Sequence, residues 1–247
     1  MEIKDLYYKN LIRDINYTFT HTKIYGIFTQ YESQATLLFE LISGLIKPTR
    51  GLINLKGKKV YMLFKDSDSQ VFNATVKDEI LYGLKENEVN LEEICDSLDI
   101  NEAMLKKDPS KLTKSEKKLV VMASMLAYNP DIILIDNFLN SLDYPTKKKI
   151  ISILKRLQFD YHKQLIIADQ NVDLLYELVD IAIILEDEIL VSGNKYDVFR
   201  KSDILESLGI EIPSYIKFSD LVLTSKNVDL GYRDRVTDIM KDVYDNV

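Results

Sequence analysis

Five short apolar runs punctuate the chain: KIYGIF (23–28), VYMLF (60–64), IILID (132–136), QLIIAD (164–169) and IAIIL (181–185). Each has few polar interruptions, as expected of strands buried on both faces in a parallel sheet. Between them, apolar positions recur at helical spacing in TLLFELISGL, EKKLVVMASMLAY, TKKKIISILKRL and NVDLLYELV. The alternation predicts an α/β domain built on a mainly parallel sheet. Residues 66–126 break the rhythm and read mostly as helices, in VKDEILYGL, LEEICDSLDI and NEAMLKK. The tail from about Ser202 reads as a smaller unit with a helical end, DRVTDIMKDVYDNV. No internal repeat or low-complexity linker interrupts the chain.

Composition narrows the function. The chain has 247 residues, enough for one large domain or a core with a smaller lobe. Its net charge of −7 argues against nucleic acid as the main partner, because an acidic chain releases no counterions. A lone cysteine, Cys95, permits no internal disulfide and suits a reducing cytosol. The first residues, MEIKDLYYKN, are charged and do not read as a signal peptide. No apolar run reaches the roughly 18 residues of a membrane span, so membrane contact is expected only through partners. Glycine is scarce, eight in all, which disfavours several intact glycine-rich loops.

One stretch carries the candidate chemistry. In GIFTQYESQATLL, Gly26 to Leu38, an apolar run leads through a polar turn into a helical pattern. That is the layout of a phosphate-binding loop, in which backbone amides at a helix N-terminus face an anion. Such a loop needs glycines and a lysine; this one offers Tyr31, Ser33 and Gln34.

Further stretches follow in order: GLIKPTRG from Gly44, KGKKVYMLFKDSDSQVFNATVKDEILYGL, DPSKLTKSEKKLVVMASMLAYNPDIILIDNFLNSLD and LVDIAIILEDEILVSGNKYDVF. In order and spacing they resemble the ATP-binding cassette (ABC) ATPases. They look most like the ATPase subunits of energy-coupling factor (ECF) importers, TVKDEILYGL and the tail SDILESLGIEIPSYIKFSDLVL especially. The resemblance implies a P-loop NTPase-like ABC nucleotide-binding-domain fold. It would have a mainly parallel sheet, an N-terminal antiparallel part, an inserted helical subdomain and a small C-terminal extension. The corresponding division is an α/β core at 1–65 and 127–200, a helical signature subdomain at 66–126 and an extension at 201–247.

Aligned without gaps, the family pattern G-x-x-G-x-G-K-[ST]-T falls on Phe28, Thr29, Gln30, Tyr31, Glu32, Ser33, Gln34, Ala35 and Thr36. The three glycines, the lysine and the magnesium-binding hydroxyl are all replaced. A left-handed Tyr31 would cost about 1–2 kcal/mol, so another path for the loop is expected. Glu32 would repel a phosphate by about 4 kcal/mol at 4 Å and an effective dielectric near 20. The surviving helix end attracts an anion by only about 0.3–1 kcal/mol. No bound nucleotide is therefore expected, and no metal or other cofactor. Thr29-x-x-Glu32 has the capping-box pattern, so the helix is expected to start early and cap itself with Glu32; the alternative is a plain polar turn.

The resemblance places the family's other functional positions as follows. The glutamine that senses the γ-phosphate falls on Lys65, which otherwise reads as a solvated lysine. The catalytic carboxylate falls on Asn137, whose amide cannot take a proton from water. The switch histidine falls on Gln170; His21 and His162 lie elsewhere and read as surface turn residues. Asp136 keeps the magnesium-side aspartate, which needs either a hydrogen-bond partner or a metal. Tyr7 or Tyr8 either stacks on adenine or packs in the core. The signature is changed to Leu112, Thr113, Lys114, Ser115 and Glu116, with Thr113-x-x-Glu116 a capping box. Lys114 faces either a partner's nucleotide or water. Ser141, Leu142 and Asp143 keep the D-loop that crosses the family's dimer interface, or form an ordinary turn before Pro145. Lys147, Lys148 and Lys149 read as the solvated face of a helix.

The reading that results is a catalytically degenerate, non-hydrolysing subunit of an ECF-type importer, cytoplasmic and peripheral to the membrane. Its implied partners are a second ABC ATPase subunit, in a homo- or heterodimer, and a transmembrane scaffold protein. The scaffold's coupling helices would dock at Lys65, Asp66, Asp68, Gln70 and Phe72. Two other readings stand beside it: a soluble scaffold or regulatory module that has left transport, and an unorthodox Mg-ATP-binding or hydrolysing subunit.

Overall fold

The computed structural model describes residues 1–20, 23–140, 142–231, 233 and 236–246. In chain order they form β1 (Glu2–Tyr8), β2 (Ile12–Thr18), β3 (Ile24–Phe28), α1 (Glu32–Ser43), β4 (Arg50–Asn54), β5 (Val60–Leu63), α2 (Val76–Ile80), α3 (Leu91–Leu98), α4 (Glu102–Leu105) and α5 (Lys114–Tyr128). Then come β6 (Ile132–Asp136), α6 (Tyr144–Phe159), β7 (Gln164–Ala168), α7 (Val172–Leu178), β8 (Ile181–Leu185), β9 (Ile189–Asn194), α8 (Lys195–Phe199), α9 (Ser202–Ser207), α10 (Ser214–Lys226) and α11 (Val236–Asn246). His21 and Ser141 lie outside the described residues. The chain divides into two compact units, the division falling inside β7.

The first unit holds residues 1–19, 23–54 and 166–247. Its N-terminal sheet is antiparallel, in the order β2-β1-β4. Ile3, Leu6, Ile12 and Ile15 bury one face of it. Gly51 (φ +93°) approaches β1 so closely that a Cβ would stand 2.0 Å from the Asp5 carbonyl oxygen, so only glycine fits there. Strand β3 pairs in parallel with β8, Tyr25 with Ile181 through Phe28 with Ile184. Every residue of β3 is buried, as are the last four of β8, which explains their unbroken apolar sequences. Strand β9 pairs with β8 antiparallel. In the tail, Val222, Leu230 and Ile239 form a small core with Tyr215, Val228 and Val243 packed on it.

The second unit spans residues 55–165. Strands β5 and β6 pair in parallel, Val60 with Ile132 through Leu63 with Ile135. Helix α5 packs against β5, α2 and α3. The apolar pattern VKDEILYGL yields only five helical residues. Leu81 leaves helical geometry (φ −93°, ψ 6°) and Gly83 turns left-handed (φ +73°). Lys149, expected on a purely solvated face, forms an ion pair with Asp99.

Candidate functional site

In the first unit, the residues standing where a phosphate loop would be turn inward on themselves. Tyr31 is extended (φ −120°, ψ 115°) and precedes α1 with no side-chain cap. The expected early helix capped by Thr29 and Glu32 is therefore corrected: α1 starts at Glu32 itself. Thr29 has a different use. Its Oγ1 accepts the Tyr31 N–H at 3.3 Å and donates to Gln34 Oε1 at 2.5 Å. The Gln34 N–H donates to the Tyr31 carbonyl at 2.9 Å. Two amides that an open cradle would aim at an anion are thus already bonded. Ala35 is buried against the body of the unit, while Ser33 is exposed.

A groove of about 640 Å³ runs beside this turn. Glu32, Glu40 and Asp187 supply its charge, with Asn10, Leu11, Ser33, Gln34, Thr36 and Leu37 completing the wall. Asp187 is ion-paired with Arg13. Tyr8 is half-buried, and Lys9 Nζ sits over its ring, 5.0 Å from the centroid. Tyr7 is half-buried too, with Arg50 5.4 Å from its ring centroid. Gln170 is exposed at the entrance to α7, where the Asn171 side chain caps the helix by accepting the Leu174 N–H at 3.0 Å.

In the second unit, the end of β6 is tied by a polar chain. Asp136 is buried and accepts from Asn137 Nδ2 at 3.2 Å, while Asn140 Nδ2 donates to Asn137 Oδ1 at 3.2 Å. Asn137 is left-handed (φ +49°), a conformation asparagine tolerates better than most residues. Lys118, only 4% exposed, donates from Nζ to the Phe138 carbonyl at 2.5 Å and to the Asn140 carbonyl. Its ammonium also lies 5.1 Å from the Phe138 ring centroid. Sequence reading missed this residue, although a signal existed: Lys118 shares the buried stripe of α5 with Val121, Met122 and Met125.

The segment expected to be the signature forms the capped start of α5. Thr113 Oγ1 accepts the Glu116 N–H at 3.2 Å, and Glu116 accepts the Thr113 N–H at 2.8 Å, the expected capping box. The Thr113 N–H, followed by its hydroxyl, holds the Glu116 carboxyl below its ordinary value. Lys114 is exposed, Ser115 half-buried and Leu112 buried. Leu142 is buried, and Asp143 caps α6 by accepting the Thr146 N–H at 3.0 Å.

The expected coupling groove is only partly assembled from the residues named for it. A groove of about 570 Å³ is lined by Gln70, Phe72 and Ser69 together with Tyr61, Glu79, Tyr82 and Tyr128. Lys65, Asp66 and Asp68 stand exposed on the stretch leading to it. Asp68 pairs with Lys117, and Asp66 accepts the Asp68 N–H at 3.0 Å. Gln70 binds the edge of β5, accepting the Phe64 N–H at 2.9 Å and donating to the Met62 carbonyl at 2.9 Å. Glu79, also overlooked in the sequence, is buried and accepts the backbone N–H of both Phe72 and Asn73 at 2.8 Å. The rings of Phe72 and Tyr82, 66% and 63% exposed, meet edge to face at 5.0 Å. Burial, with the Glu79 charge adding to it, pushes the Tyr61 hydroxyl up to about 12, so Tyr61 stays a neutral phenol beside Glu79.

Comparison with known proteins agrees with this geometry. The ABC transporter family profile matches residues 12–140. The chain is 27% identical over 239 residues to the energy-coupling factor transporter ATP-binding protein EcfA1 of Mycoplasma mobile, covering 90% of this chain and 86% of that one. It is 26% identical over 235 residues to EcfA2 of Staphylococcus aureus, covering 85% and 82%. Among solved structures, cbiO1 from Clostridium perfringens, part of the ABC transporter complex cbiONQ, matches with a TM-score of 0.68 and 21% identity over 89% of this chain and 98% of that one. The fold is thus that of an ABC nucleotide-binding domain. With just over half of the chain matched by the family profile, the protein belongs to the ABC transporter family.

Proposed function

We propose that this chain is a catalytically silent ATPase-like subunit of an energy-coupling-factor importer. It would partner a second ATPase subunit and a membrane scaffold protein at the cytoplasmic face. Similarity to energy-coupling factor ATP-binding proteins over most of both chains supports the importer. The closed turn at 29–34 is the one observation that carries the silence. Its hydroxyl and two of its amides are bonded within the turn, and the neighbouring groove is lined by three carboxylates, one of them ion-paired with Arg13. A magnesium nucleotide does not suit that lining, since fixed anions repel a triphosphate and neither Gln34 nor Ala35 replaces the lost cation and metal ligand. With Asn137 and Gln170 in place of base and switch, hydrolysis would fall to the partner.

In this reading the groove around Gln70, Phe72 and Tyr82 receives the scaffold's cytoplasmic helix. Residues 66–126 act as the helical subdomain and 201–247 as the extension. The experiment is purification of the tagged chain from its native membranes. Recovery with a transmembrane protein and a second ATPase supports the proposal. Recovery alone, or with soluble proteins only, contradicts it and leaves the soluble scaffold reading.

A further inference from the structure

Three contacts in the first unit join the C-terminal tail to the closed turn and to the helix after Gln170. At the end of α9, Gly209 (φ +73°) lies directly against Gln30. A Cβ there would stand 2.6 Å from Gln30 Nε2 and 2.9 Å from Cδ. Its left-handed backbone favours glycine, and the Gln30 side chain packs into the space a Cβ would take. At the start of α10, Ser214 donates its N–H and its hydroxyl to the Asp173 carboxylate on α7, at 2.6 Å and 2.8 Å. Between these points an aromatic row is continuous. Phe28, at the end of β3, meets Phe199 at 5.0 Å; Phe199 meets Tyr176 at 5.5 Å; Tyr176 stacks on Tyr215 at 6.2 Å.

We propose that the segment from α9 to the first turn of α10 is a built-in strap. It holds the turn at 29–34 and the entrance to α7 in one fixed arrangement, as a bound ligand would in a family member that has one. The bonds inside the turn do not fix where it sits, and packing of the tail against it supplies that support. Gln30 supplies the loop end of that support and Gly209 the tail end. The buried flanks Leu205, Ile210 and Ile212 fix the tail end in place. The consequence is a turn whose geometry does not depend on nucleotide. The idea deepens the reading of the turn as ligand-free and rests on it for its meaning, but not for its geometry.

Amide hydrogen exchange on the full chain tests it, comparing wild type with Gln30→Ala and Gly209→Ala. The strap requires slow exchange over residues 29–34 in wild type. Both variants should accelerate it by roughly tenfold, with exchange over β6 unchanged. Should Gly209→Ala loosen β6 as well, Gln30→Ala decides, because it removes the contact without backbone strain. Unchanged loop exchange in Gln30→Ala, or coil-like exchange at 29–34 in wild type, overturns the strap. Titration of the same samples with Mg-ATP separates the two ideas. Nucleotide binding, with loop exchange still sensitive to Gln30→Ala, removes the ligand-free reading and leaves the strap standing.

Discussion

The Thr29 hydroxyl donates to the Gln34 side-chain carbonyl across 2.5 Å, closing the turn that joins β3 to α1. The residue at the lysine position of the phosphate-loop pattern therefore points its acceptor back at the strand it follows. The same Thr29 oxygen takes up the Tyr31 N–H. Two amides and a hydroxyl of the turn are bonded inside it, without an anion.

Thr29→Val, of similar shape, removes both bonds. A loss of about 0.5–1.5 kcal/mol is expected, read as a lower midpoint in denaturant unfolding, with Thr29→Ser close to wild type. An unchanged midpoint in Thr29→Val would mean that the hydroxyl contributes nothing.

Restoring the cation alone is not expected to restore a site. Gln34→Lys leaves Tyr31, Glu32 and Ala35 in place, together with the acidic groove. Filter binding of labelled ATP with magnesium should stay at background for this variant. Saturable binding would show that charge, rather than loop shape, was the missing part.

The capping box makes a pH-dependent contribution. Bonds from Thr113, the backbone N–H foremost, lower the Glu116 pKa from its ordinary 4.5 in the folded chain. A folded value below the unfolded one gives stability that is complete above pH 4.5 and is lost as pH falls through the folded value. Asp143 behaves alike, its carboxyl lowered first by the Thr146 backbone N–H. Glu116→Gln should flatten the acid limb of a melting-temperature profile, and Thr113→Ala should cost about 1 kcal/mol at neutral pH. An acid limb identical in Glu116→Gln would exclude this origin.

Removing the ammonium of Lys118 strands the buried Phe138 carbonyl and the part-buried Asn140 carbonyl. Lys118→Met, which keeps the stem, should lose about 1–3 kcal/mol in urea unfolding. A neutral result would mean that Phe138 and Asn140 find other donors.

The aromatic groove separates folding from docking. Phe72→Ala and Tyr82→Ala remove exposed rings and should leave the melting temperature within about 1 °C, because surface changes cost little. Under the proposed function both release the membrane scaffold in co-purification. Glu79→Ala is expected to do the reverse in folding terms. It strands the amides of Phe72 and Asn73 and should cost about 1–3 kcal/mol.

The strands were plain in the sequence because burial on both faces leaves no room for polar residues, as in β3 and β6. The strand, turn and helix around residues 26–38, without the glycines and lysine of a phosphate loop, were equally plain, since residue content is a matter of composition. Its geometry was not. Thr29-x-x-Glu32 reads as a capping box, yet the extended Tyr31 delays the helix start to Glu32 and hands Thr29 to Gln34. Lys118 and Glu79 escaped notice because a charged residue on a helix reads as solvated unless the apolar stripe is traced through it. Gly209 against Gln30 joins positions far apart in sequence, and no local pattern announces such a contact.

Isothermal titration of the purified full chain with ATP and magnesium measures the central claim most directly. No heat of binding up to millimolar nucleotide, a dissociation constant weaker than about 1 mM, is the expected result. A saturable isotherm in the micromolar range would contradict it.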